Sequence, residues 1–297
     1  MFQSSLASIT GLDNPLNFSK ARRTIVVLVD GLGSLNLKSA GGHAPFLNTA
    51  LATTKSISCA FPSTTATSIA SFATGTPAGH HGFVGYKIFD RSAGTSFNLL
   101  NGWDQNRRAS EWQLSEPISM RASRQGIRTV MIGPKAYSAS DFTQATMPTA
   151  DYLAGQSIAD RVQLAAELLK GDDVLVYLYV PELDQVAHSH GVASDQWLQR
   201  LEELDWQMRW LEAQLRKGDA LVLTADHGVV DVPSRSQILL DEMKLDWNLV
   251  LDVSGDPRVN FLYLAEAKEA SRFASELQSL IGETGVALTR QEVLNAG

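Results

Sequence analysis

Short apolar runs alternate with helix-period patterns along the chain, the signature of β-α-β units built around a mostly parallel sheet. Thr24 to Val29 is almost wholly apolar and β-branched, as a strand buried on both faces requires. Similar runs stand at Ile127 to Ile132, Val174 to Val180 and Ala220 to Thr224, with weaker ones at Val259 to Leu264 and Val286 to Leu288. Between them, Ser157 is placed to cap a helix reaching about Lys170, and Ser194 one reaching about Lys217. On the second, Trp197, Leu201, Leu204, Met208, Leu211 and Leu215 recur at spacings of four and three, one apolar stripe that belongs to a core. The expected fold class is α/β, a mostly parallel central sheet with helices on both faces. The whole chain, 1–297, is expected to form a single domain. Within it, 76–116 is rich in Gly, Asn and aromatics without a period, and is expected to be an excursion lining a binding site.

Composition narrows the function. Lys and Arg number 25 against 32 Asp and Glu, a net charge of −7, which offers no basic face to a nucleic-acid polymer. One cysteine, Cys59, excludes a disulfide framework and any Cys-based zinc site. No apolar run approaches the ~18 residues of a membrane span. Met1 to Arg23 lacks the apolar core of a secretory signal, so the expectation is a cytoplasmic protein.

Candidate chemistry gathers just after the strands. Thr24 to Val29 delivers Asp30 and then Gly31-Leu32-Gly33; Val174 to Val180 is followed by Asp184 and His188; Ala220 to Thr224 leads to Asp226-His227-Gly228. In an open α/β sheet the carboxyl ends of the strands face one crevice, so these groups should converge. Carboxylates and imidazoles without cysteine suit Zn²⁺ or Mn²⁺. Asp184 and His188 share a face if their segment is helical, and His190 is the lesser ligand candidate. His43 reads as a surface residue, and His80 and His81, in a Gly/Pro-rich turn, as structural. A nucleophile is available in Phe61-Pro62-Ser63-Thr64-Thr65-Ala66-Thr67-Ser68, five hydroxyls in six residues. Such a hydroxyl at a helix N-terminus beside a metal can ionise; the plainer role for this run is a helix cap.

The series Val29-Asp30-Gly31-Leu32-Gly33, Phe61-Pro62 through Ser68, Thr74-Gly75-x-Pro77-x-Gly79-x-His81-Gly82, Asp184-x-x-x-His188-x-x-Gly191 and Thr224-Ala225-Asp226-His227-Gly228 resembles the alkaline phosphatase superfamily. Within it, the sequence is similar to the nucleotide pyrophosphatase/phosphodiesterase branch, from about Arg23 to Pro233. The resemblance implies two divalent metal ions, usually zinc. Asp30, Asp226, His227 and Thr65 match ligands of the first, and Asp184 and His188 ligands of the second. It implies Thr65 as the nucleophile that attacks phosphorus in line, with a covalent phosphothreonine then cleaved by water.

Two departures stand out. Diesterases of the family usually place an Asn three residues after the nucleophile to hold a phosphate oxygen; here that residue is Ser68. The family completes its second metal with a His near the C-terminus, and no His follows His227. The second site is therefore expected to be incomplete. With Thr289-Arg290-Gln291-Glu292 signalling a helix so near the end, the chain is expected to lack its C-terminal part. The expected function is a metal-dependent phosphoester hydrolase, a phosphodiesterase or nucleotide pyrophosphatase acting on a small phosphoester such as a nucleotide. The alternatives are a phosphomonoesterase, phosphonate hydrolase or phosphomutase of the same superfamily, or a non-catalytic protein with an incomplete metal site. Cys59-Ala60-Phe61-Pro62-Ser63 does not fit the Cys-x-Pro-x-Arg motif of sulfatases. Phe83, Tyr86, Trp103 and Tyr137 either stack on a base or fill core.

Overall fold

The computed structural model describes residues 1–54 and 56–296. Among them the strands are β1 (Arg23–Val29), β2 (Lys87–Asp90), β3 (Thr95–Asn98), β4 (Arg128–Gly133), β5 (Asp151–Ala154), β6 (Val174–Val180), β7 (Asp219–Ala225), β8 (Val250–Asp256) and β9 (Val259–Leu264). The chain divides into two compact units where one was expected: Met1–Tyr86 with Asn98–Asp231, and Lys87–Phe97 with the chain from Val232 onward. The cause is strand pairing. In the second unit β2, β3, β8 and β9 close a sheet of their own in the order β3-β2-β8-β9. There β9 pairs antiparallel with β8, Asp256 opposite Val259, and does not join the parallel sheet. The 76–116 excursion is accordingly divided between the units.

The first unit holds the parallel sheet, in the order β5-β4-β6-β1-β7. Its central strand β1 pairs in parallel with β6, Arg23 opposite Val174, and with β7, Arg23 opposite Asp219. Every residue of β1 and β6 is buried, which accounts for their unbroken apolar runs. Ile25, Val27 and Val29 share a core with the helices Ile158–Leu168 and Asp195–Glu212. On the opposite face Tyr177 packs 6.2 Å from Phe2 and 5.1 Å from Phe72, on the helices Phe2–Thr10 and Thr65–Thr74. Helices thus cover both faces.

Ser157 caps its helix in a full capping box with Asp160, and Ser194 caps the next by accepting the Trp197 N–H. Trp197, Leu201, Leu204, Met208 and Leu211 are buried as the stripe requires. That helix stops at Glu212, short of Lys217, and Leu215 packs half-buried beyond its end. Val286 to Leu288 is not a strand. Val286 is 76% and Leu288 53% exposed, and the Ala287 N–H is satisfied by the Gln278 side chain instead of a neighbouring strand. The Thr289–Glu292 capping box does form and opens the helix Arg290–Asn295. Among the described residues no helix is long and apolar enough to cross a membrane.

Candidate active site

Because β6, β1 and β7 lie side by side, whatever follows their carboxyl ends must meet. Asp30 follows β1 directly and donates its N–H to the Val180 carbonyl at 2.9 Å. Asp226 follows β7 directly, and its Oδ1 accepts the N–H of Gly31 at 3.1 Å and of His227 at 2.9 Å. Asp184 and His188 lie one turn apart on the helix Glu182–His190, with His188 Nε2 3.4 Å from Asp184 Oδ2. Gly31 turns the chain at φ +72°, and a Cβ there would stand 2.9 Å from Val229 Cγ2 and 3.1 Å from Asp184 Oδ1. Glycine is what lets the Asp184 carboxylate sit against this turn. The neighbouring loops touch through Gly33, whose absent Cβ would lie 2.8 Å from the Gly228 Cα. Asn36 stitches them together, donating to the Val229 carbonyl at 2.7 Å and accepting the Val229 N–H at 3.2 Å.

One ligand atom from each of Asp30, Asp226 and His227 falls within a sphere where all lie within 4.8 Å of one another. His227 Nε2 is 3.2 Å from Asp30 Oδ1 and 3.6 Å from Asp226 Oδ2, while its Nδ1 faces the Gly228 carbonyl at 3.2 Å. An Nδ1–H donated to that carbonyl orients the ring with Nε2 toward the carboxylates. Thr65 begins the helix Thr65–Thr74, with its Oγ1 3.1 Å from His227 Nε2 and 3.5 Å from Asp30 Oδ1. Thr64 instead caps that helix, accepting the Thr67 N–H on its hydroxyl. The two adjacent threonines therefore face different tasks.

The electrostatics describe a site short of positive charge. Burial, then the neighbouring Asp30 carboxylate, pushes Asp226 well above the ordinary carboxyl range and raises Asp184 as well. Burial works against a charged His227, but its hydrogen bond to Asp30 and the surrounding carboxylates outweigh this and raise it to about 9. Asp226 Oδ2 and Asp184 Oδ1 are buried with no hydrogen-bond partner among the described residues. Buried carboxylate oxygens without donors, next to an imidazole and a hydroxyl, fit a divalent cation held by oxygen and nitrogen.

The sequence of this chain decides its kinship. The sequence model of the type I phosphodiesterase / nucleotide pyrophosphatase family matches residues 24–290. The chain belongs to this family. It is 25% identical over 234 residues to human ectonucleotide pyrophosphatase/phosphodiesterase family member 1, covering 74% of this chain and 25% of that protein. The chain thus spans a quarter of the length of that relative. Its fold is shared with murine ectonucleotide pyrophosphatase/phosphodiesterase 5, solved as an inactive variant in complex with AMP (TM-score 0.65, 21% identity, 87% of this chain and 70% of that one). The human form of the same enzyme gives a TM-score of 0.62 at 21% identity, over 86% and 69% of the two chains.

The remaining candidate residues have varied surroundings. Ser68 is buried on the Thr65 helix, its hydroxyl without a partner among the described residues. His188 projects outward, its side chain 77% exposed, and His190 is exposed; among the described residues no group of three ligating side chains forms around Asp184 and His188. His43 lies at the surface, 2.6 Å from Glu202, and His80 is exposed. His81 is fully buried between the Phe83 N–H and Ser71 Oγ, and burial, then His80, pulls it down to about 4. Of the aromatics, Phe83 is core, packed 5.8 Å from Trp103; Tyr86 is 43% exposed; Tyr137 rests 5.9 Å from Tyr179. Sequence reasoning missed Tyr179, whose hydroxyl donates to Asp30 Oδ2, and Asn36. Tyr179 shares its strand with a second phenol, Tyr177, so nothing in the run singled it out. Asn36 had no signal either.

Proposed function

We propose that this chain is a metal-dependent phosphoester hydrolase of the phosphodiesterase or nucleotide pyrophosphatase type, with Thr65 as its nucleophile and a small nucleotide-like phosphoester as substrate. The observation that carries the reading is the Thr65 hydroxyl, seated at a helix N-terminus against the Asp30–His227 pair. Family membership and the AMP held by the murine relative support the substrate class.

Asp30, Asp226, His227 and Thr65 would hold one divalent ion, zinc or manganese, and Asp184 with His188 would hold a second less completely. Such an ion, when bound, favours the ionised hydroxyl and offsets charge on phosphoryl oxygens. Thr65 Oγ, its proton released to solvent, attacks phosphorus in line, forming the P–O bond of a phosphothreonine as the leaving oxygen departs with its electron pair; water then attacks the same phosphorus, the Oγ–P bond breaks, and Thr65 Oγ regains a proton. The free amides of the first helical turn face the phosphoryl oxygens with partial positive charge. Ser68 supplies one donor to a phosphoryl oxygen in place of the amide an Asn would offer. Asp226 stays fixed through its two backbone donors, so the site is organised before substrate arrives.

The test pairs metal analysis with turnover of bis-(p-nitrophenyl) phosphate and p-nitrophenyl phosphate. The expected result is one tightly bound ion, a second that exchanges readily, and diester turnover that chelation removes and zinc restores. Faster turnover of the monoester replaces the diesterase reading with its phosphomonoesterase neighbour. A metal-loaded protein that hydrolyses neither overturns the proposal and favours a non-catalytic role.

A further inference from the structure

Tyr179 is 7% exposed on β6, and its hydroxyl donates to Asp30 Oδ2. Its ring is held between Tyr137, at 5.9 Å, and Tyr177, at 6.2 Å, which leaves the phenol little freedom to turn away. The backbone fixes the pair as well, since Tyr179 stands opposite Leu28 and the Asp30 N–H binds the carbonyl of Val180. With Oδ2 engaged, the other oxygen of Asp30 is the one that lies 3.2 Å from His227 Nε2 and 3.5 Å from Thr65 Oγ1. We infer that Tyr179 is a positioning residue for Asp30: it fixes one carboxylate oxygen so that the other is presented to the metal ion and to Thr65. This assignment rests on the metal-site reading above. Outer partners of this kind commonly set a ligand's orientation and contribute about 10- to 100-fold to metal affinity.

The chain supplies its own control. Tyr177 is on the same face of β6, two residues and roughly 6.6 Å further from the sheet edge, and its buried hydroxyl has no partner among the described residues. Zinc affinity is measured by competition with a chromophoric chelator, and the cobalt-substituted protein is followed by its visible absorption. Tyr179→Phe should bind zinc about 10- to 100-fold more weakly and shift the cobalt spectrum. Tyr177→Phe should stay within about twofold of the parent. A Tyr179→Phe variant that matches the parent in affinity and spectrum overturns the assignment and leaves the metal site standing. A parent that binds no zinc overturns the metal-site reading and this assignment with it.

Thermal melts of the metal-free chain give a second readout. In the parent background Tyr179→Phe should lower the melting temperature. In an Asp30→Ala background it should leave it unchanged or raise it, because the buried hydroxyl has then lost its acceptor. The same downward shift in both backgrounds would show a packing role alone and overturn the assignment.

Discussion

Thr64 and Thr65 are adjacent, chemically identical and, in this fold, separable by experiment. The Thr64 hydroxyl accepts the Thr67 N–H at 3.4 Å and lies 3.2 Å from the Thr67 hydroxyl, so its work is local to the helix. Replacing such a cap by alanine costs about 1 kcal/mol, which for a domain of this size lowers the melting temperature by about 2–4 °C. Thr64→Ala should show that shift and keep its turnover. Among the described residues the Thr65 hydroxyl meets His227 and Asp30 and caps no helix. On the proposed mechanism Thr65→Ala removes the nucleophile, and kcat should fall at least about 10³-fold, a barrier increase of about 4 kcal/mol. Thr65→Ser restores a hydroxyl on the same carbon and should recover part of the rate. The assays are thermal melting and hydrolysis of bis-(p-nitrophenyl) phosphate at matched metal content. Loss of turnover in Thr64→Ala with retention in Thr65→Ala would refute the assignment of the nucleophile.

The metal-free protein should lose stability as pH rises. Folded His227 holds its proton up to about 9, whereas the unfolded chain releases it near 6.5, so that contribution is complete below 6.5 and gone above about 9. The raised Asp226 and Asp184 act in the same direction, because the folded state keeps protons that the unfolded state has given up. On the proposed metal site zinc would take the place of those protons, so the gap in melting temperature between zinc-loaded and chelated protein should widen from pH 6.5 to 9; a constant or narrowing gap counts against it. At Gly31, alanine must adopt a left-handed φ of +72° and press on Val229 and Asp184. Gly31→Ala should therefore cost at least about 1–2 kcal/mol in denaturant melts, while Gly41→Ala, with open space around it, should stay within about 0.5 kcal/mol.

What the sequence revealed and what it hid follow from how each element is stabilised. β1 and β6 are buried on both faces, so their residues had to be apolar throughout and could be read directly. β5 is a four-residue edge strand with exposed ends and a polar first residue, and nothing in its pattern separates it from a loop. β2 and β3 of the second sheet were equally hidden, since they are four residues each and β2 pairs with β8, which lies far along the chain. Asp30, Asp226 and His227 were legible because strand ends in a parallel sheet share one edge. Tyr179 and Asn36 were not, because a hydrogen bond between side chain and side chain or loop leaves no period in the sequence.

Strand register explains why the two halves of the site differ. Val29 is opposite Ala225 in the β1–β7 pairing, so the next residues in step are Asp30 and Asp226. Two carboxylates so placed, with strands about 4.8 Å apart, repel one another unless a cation or protons lie between them. On the other side Val29 is opposite Val180, and the residue next in step is Pro181. Proline has no N–H to continue the ladder and leads the chain into the helix Glu182–His190. Asp184 consequently reaches the edge from a helical turn instead of from a strand end, and His188 follows a further turn out, where it is exposed. The sheet itself thus holds the Asp30–Asp226 half rigidly, while the Asp184–His188 half depends on a helix that begins beyond the last ladder bond. A register slip of one residue along β7 would turn Asp226 to the opposite face and break the first half while leaving the second in place.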